Sequence, residues 1–144
     1  NKLKISNSYT YSDFKFDNYF VNDINLDGNY LPGIPKHNFK SEFNYFFSNR
    51  LVFKFQVQYF GELYTSDNNN TIEPSYLISN IRLNLNNKSL EEVNYRKFKI
   101  NPYLGFNNIF NADYSDNIRI NAFGSRFFEP APKRNFYLGI SFRY

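Results

Sequence analysis

The chain has 144 residues, with 17 Lys and Arg against 13 Asp and Glu, a formal net charge of +4. At 42% hydrophobic and 22% aromatic it is too apolar for a disordered chain. It has no Cys and one His, which excludes disulfides, thiolate metal sites and a multi-histidine centre. No run approaches the ~18 apolar residues of a membrane-spanning helix.

The 24 Asn and only 3 Ala argue for strands joined by turns rather than for helices. Tyr and Phe, at 13 and 18, are strand-enriched residues. Alternation with period two is the dominant pattern, and it predicts six strands. In chain order, one face of each carries Leu3 to Tyr11, Phe39 to Phe47, Leu51 to Leu63, Leu77 to Leu85, Phe98 to Phe106 and Phe136 to Tyr144, taking every second residue. None of these thirty-two positions is charged, whereas nine of the twenty-seven alternate positions are, counting Lys2 ahead of Leu3 as the first: Lys2, Lys4, Lys40, Glu42, Lys54, Glu62, Arg82, Lys99 and Arg143. Residue 1 already adjoins an alternating pattern and no start Met or targeting segment opens the chain, which reads as a piece of a longer protein.

One apolar face also suits a soluble β-sandwich. The connections separate the two readings. Residues 48–50 form a tight turn and 86–96 a modest link, while 17–37, 65–75 and 108–135 are longer or richer in turn residues. Short and long connections therefore alternate, as the periplasmic turns and external loops of an outer-membrane barrel do. Each segment has about the 9–11 residues that a tilted strand needs to cross a bilayer. Tyr9, Tyr11, Tyr45, Tyr59 and Tyr144 sit near segment ends, where an interfacial aromatic girdle belongs. The expected fold is all-β, an antiparallel transmembrane β-barrel segment of about six strands.

The end of the chain carries specific motifs. Asn108-Ile109-Phe110-Asn111-Ala112-Asp113-Tyr114 leaves the fifth strand, and Glu129-Pro130-Ala131-Pro132-Lys133-Arg134-Asn135-Phe136 enters the last, which stops on Phe142-Arg143-Tyr144. Leu31-Pro32-Gly33-Ile34-Pro35-Lys36-His37 is a similar entry to an earlier strand. This pattern resembles the C-terminal end of a TonB-dependent outer-membrane receptor. The resemblance implies that residues 1–144 are the C-terminal portion of a 22-stranded barrel, its last six strands, with the plug domain and earlier strands absent from this chain. It puts the three long connections outside the cell. It also implies an importer in the outer membrane of a Gram-negative bacterium, opened by ligand and energised by the TonB-ExbB-ExbD complex acting through the missing plug.

Chemistry-bearing residues collect in the last long connection. Arg119 and Arg126 are candidate contacts for an anionic iron chelate such as a ferric siderophore, by charge-assisted hydrogen bonds. Tyr114 and Phe127 are candidate aromatic contacts, with packing of the loop onto the rim as their other reading. Lipopolysaccharide and lipid are the other expected partners of this region. Glu129, Pro130, Pro132 and Arg134 form the structural motif, Arg134 pairing with Glu129 or with a carboxylate of the lumen. Leu138, Ile140, Phe142 and Tyr144 resemble the signal read by the outer-membrane assembly machinery, through strand addition at an open edge. His37 reads as a hydrogen-bonding rim residue. No nucleophile–base pair, phosphate loop or metal spacing occurs, so no enzyme, cofactor, metal site or nucleic-acid partner is expected. A passive porin or structural barrel and a soluble β-sandwich binding module are the competing functions.

Overall fold

The computed structural model describes residues 2–47, 51–85 and 99–143. Six long strands form one antiparallel sheet: β1 (Leu3–Tyr11), β4 (His37–Phe46), β5 (Leu51–Phe60), β8 (Tyr76–Leu85), β9 (Lys99–Asn107) and β12 (Asn135–Arg143). They lie in that spatial order, each beside its sequence neighbour in the sheet, with β1 and β12 as the two edges. The sheet is open, and no barrel closes from these six strands. The turn expected at 48–50, the link 86–96 and Tyr144 lie outside the described residues.

The register runs straight across the sheet, so the alternation of each strand adds up to two chemically distinct faces. One row reads Leu3, Tyr45, Phe53, Leu83, Leu104, Leu138, and the next Ile5, Phe43, Phe55, Ile81, Phe106, Phe136. On the opposite face a row reads Lys4, Asn44, Lys54, Arg82, Gly105, Tyr137, beside Ser6, Glu42, Gln56 and Asn80. A single layer gives its apolar face nothing to pack against. Phe136, Leu138 and Phe142 are accordingly 78%, 75% and 67% exposed.

β5 is shorter than the sequence pattern, which continued to Leu63. It ends at Phe60, before Gly61, whose N–H donates to His37 O at 2.7 Å. A Cβ there would come within 3.1 Å of the His37 backbone. Leu63 then leaves the apolar face and is buried among the connections.

Short pairs of strands organise the three long connections: β2 (Phe20–Val21) with β3 (Ile24–Asn25), β6 (Leu63–Tyr64) with β7 (Ile72–Glu73), and β10 (Ser115–Ile118) with β11 (Phe128–Pro130). The β2–β3 turn is Asn22-Asp23, both at positive φ, as the common two-residue hairpin requires. Apart from glycines, the described residues with positive φ are six Asn and one Asp, all in these connections. The Asn content thus has a backbone cause, since Asn tolerates the left-handed region better than most residues. Most of the buried residues lie here as well, including Leu26, Leu63, Thr65, Ser66, Glu73 and Asn108.

Candidate functional site

The three long connections, 12–36, 61–75 and 108–134, interlock beyond one end of the sheet. Asn69 joins the first two by a reciprocal pair of bonds: Tyr30 N–H donates to Asn69 Oδ1 at 2.7 Å, and Asn69 Nδ2 donates to Tyr30 O at 2.9 Å. Asn29 Nδ2 donates to Asp67 O at 2.9 Å, Gly33 N–H donates to Tyr64 O at 2.8 Å, and the Tyr30 and Tyr64 rings stack at 5.7 Å. Tyr19 Oη donates to Asp67 Oδ2 at 3.2 Å, and that carboxylate holds the phenol above its usual pKa.

Asn121 makes the same kind of joint between the second and third connections. Its N–H donates to Thr65 O, and its Oδ1 accepts from Asp67 N–H, both at 2.9 Å. Buried Glu73 reaches across to accept from Ser115 N–H at 2.9 Å. None of these organisers was singled out from sequence. The excess of Asn was the available signal, but it does not say which Asn meets which loop.

Within the third connection, Asn108 is almost fully buried at φ 50°. Its side chain accepts from Ala112 N–H at 2.8 Å and donates to Ala112 O at 2.9 Å, closing the turn that leaves β9. β10 and β11 then form a hairpin tipped by Arg119, a single 3-10 turn at Phe123–Ser125, Arg126 and Phe127. Arg119 N–H donates to Phe127 O at 2.8 Å, so the structure brings Arg119, Arg126 and Phe127 to one end of the hairpin. Tyr114 lies at the other end, half-buried and stacked on Tyr76 at 5.0 Å. Its setting is that of a packed residue.

The Arg119 side chain is ion-paired with Glu129, and Lys133 with Asp113. Among the described residues Arg134 makes no ion pair with Glu129; its backbone N–H donates to Asn111 Oδ1 at 3.1 Å and its side chain is exposed. Asn117 Nδ2 also donates to Glu129, at 3.2 Å, and this bond and the Arg119 guanidinium hold the carboxyl below its usual range. Among the described residues Arg126 has no ion-pair partner, and Phe123 beside it is 98% exposed. Pro130 faces Ser115 within the hairpin, and Pro132 lies just before β12. His37 Nδ1 and Tyr9 Oη share a hydrogen bond of 2.9 Å beside the Tyr11 ring. Leu138, Ile140 and Phe142 line up exposed on the edge strand β12.

This architecture has known counterparts. TonB dependent receptor-like β-barrels match residues 2–109, three quarters of the chain. The chain belongs to that family. Receptors of the family are not enzymes, and no group of three His, Cys, Asp or Glu that could hold a metal occurs among the described residues. Three solved structures share the fold over 99% of this chain. They are the siderophore receptor PiuA from Acinetobacter baumannii (21% identity, TM-score 0.72), the ferric citrate transporter FecA in its unliganded form (15%, 0.78) and the ferric-catecholate import receptor Fiu from E. coli K12 in its closed form (18%, 0.68). The chain covers 20%, 21% and 19% of them respectively, about a fifth of each.

Proposed function

We propose that this chain is the C-terminal barrel segment of an outer-membrane importer in a Gram-negative bacterium, gated by an anionic iron chelate of the ferric siderophore class. The observation that carries the reading is the two-faced sheet of a TonB-dependent receptor barrel. Its charge-free face would meet lipid and lipopolysaccharide, and its polar face would line the lumen. Strands of nine or ten residues fit a tilted crossing of the outer membrane.

In this reading the six strands are the last of 22, and the interlocked connections form part of the external rim. Arg126 and Arg119 contribute to holding the anion, with Phe127 beside them. The plug domain, outside this chain, couples ligand to the TonB-ExbB-ExbD complex. Leu138, Ile140, Phe142 and Tyr144 present the last strand to the assembly machinery. That the similar structures are a ferric-catecholate import receptor, a ferric citrate transporter and a siderophore receptor supports the choice of an iron chelate.

The test is uptake. The full-length gene is placed in an outer-membrane host lacking its own ferric-chelate receptors, and labelled iron is supplied on a panel of siderophores. Uptake of at least one chelate that disappears when TonB is deleted is the expected result. Uptake of small solutes indifferent to TonB would leave a passive pore instead.

A further inference from the structure

We infer that the polar face carries a carboxylate-binding site centred on Lys54 and Arg82. It rests on the proposed reading only in naming that face the lumen wall.

Lys54 and Arg82 are direct cross-strand partners in the β5–β8 register. Like charges placed opposite each other destabilise a sheet. Lys4 adds a third cation to the same row, with only Asn44 between it and Lys54. The acid of the adjoining row, Glu42, feels the Lys54 charge, but both its oxygens are taken by Asn44 Nδ2 and Gln56 Nε2, each at 2.7 Å. Neither Lys54 nor Arg82 makes an ion pair among the described residues. An arrangement that repels itself in isolation becomes favourable once an anion bridges it.

The surroundings shape that anion's place. The Arg82 guanidinium lies over the Tyr103 ring, 4.2 Å from its centre. Stacking uses the guanidinium face and leaves its N–H edges available for a planar, two-oxygen acceptor. Tyr137 lies flat across Gly105, where any Cβ would overlap its ring, and so closes one side of the site. Lys54, Gln56, Asn80, Arg82, Asn107 and Tyr137 surround a cavity of about 150 Å³. Asn80 Oδ1 already accepts from Asn108 N–H at 2.9 Å, which leaves its NH2 as a further donor. Donors and positive charge therefore converge on a space suited to a carboxylate.

That carboxylate has two sources, one free and passing along the lumen wall, the other fixed on the domain that fills the lumen. The thermal midpoint of the full-length receptor in detergent tests the site and separates them. It is measured in malonate and in chloride at equal ionic strength, for the native protein, Lys54→Gln, Arg82→Gln and Arg82→Lys. A malonate-specific rise that is lost in Lys54→Gln and reduced in Arg82→Lys establishes a site for free carboxylates. A midpoint indifferent to malonate but lowered by Lys54→Gln and by Arg82→Lys establishes a fixed carboxylate partner. Midpoints unchanged or raised by Lys54→Gln, with no malonate effect, reveal bare repulsion and overturn the inference. A malonate rise retained in every variant also overturns it, by putting binding elsewhere. If Arg82→Gln does not fold, Lys54→Gln and Arg82→Lys carry the decision. No arm reads iron or uptake, so failure of the import reading leaves this result independent.

Discussion

Arg126 and Arg119 begin from unequal positions, because Glu129 already occupies Arg119. A ligand anion can take Arg126 without breaking an existing pair. A charge-assisted hydrogen bond contributes about 1.5–3 kcal/mol, so Arg126→Ala should weaken chelate binding to the full-length receptor by roughly 10- to 150-fold, read from equilibrium binding at matched outer-membrane abundance. Glu129→Ala is the control for Arg119→Ala. An equal loss in both reports a loosened hairpin, whereas a loss confined to Arg119→Ala reports ligand contact. Glu129 also makes the hairpin sensitive to acid. Its carboxyl is held down first by Asn117 and then by Arg119. A depressed carboxyl stabilises the folded hairpin above its unfolded pKa of about 4.3, and that contribution is lost as pH falls through the lower folded value. Hydrogen exchange over 115–130, corrected for intrinsic rates, should show native protection exceeding that of Glu129→Gln at neutral pH. The two should converge in acid.

At the scale of the strand, facing decides tolerance. Phe55 stands in the apolar row with Phe43 and Ile81, and Gln56 in the polar row with Glu42 and Asn80. Arg on a lipid-facing site near the bilayer midplane costs about 2–4 kcal/mol. Phe55→Arg should lower the folding stability of the full-length receptor by that much and Gln56→Arg by far less, as measured by urea titration in lipid. Equal costs would remove lipid from the apolar face. The same alternation made the six strands legible in the sequence. The first was read at 3–11, where β1 lies, and the others within one or two residues of their bounds, except that β5 ends at Phe60 and not at Leu63. The face of each long strand follows from a period of two, which needs no partner to be seen. The two-residue strands β2, β3, β6 and β7 are too short to show any period. The candidate site was legible only as composition, a loop rich in Arg and aromatics. That Arg119 takes Glu129 depends on how β10 and β11 align across their hairpin, and that Asn69 and Asn121 clamp the loops depends on the sheet bringing together segments 39 and 54 residues apart. Lys54 and Arg82 could not be matched either, since their pairing depends on which residues of β5 and β8 align.

At the scale of the whole molecule, one layer with two open edges is not a self-sufficient body. β1 and β12 each present unpaired backbone groups, and the apolar rows have no covering layer. Residues 1–144 produced alone should aggregate in plain buffer or require detergent, as read by size-exclusion chromatography and circular dichroism. A monodisperse, cooperatively melting soluble monomer would favour a sandwich. The outermost hairpin has its own safeguard for such an exposed stage. Tyr137 lies over Gly105, and Tyr103 lies over Gly139 on the neighbouring strand, two reciprocal crossings between β9 and β12. Sliding one strand by two residues would preserve the faces but set Tyr103 against Tyr137, and leave the glycines opposite side chains that no longer cover them. A shift that the hydrophobic pattern alone would permit is therefore penalised by shape. The crossings act as a key that checks the alignment of β9 with β12 while β12 still has a free edge.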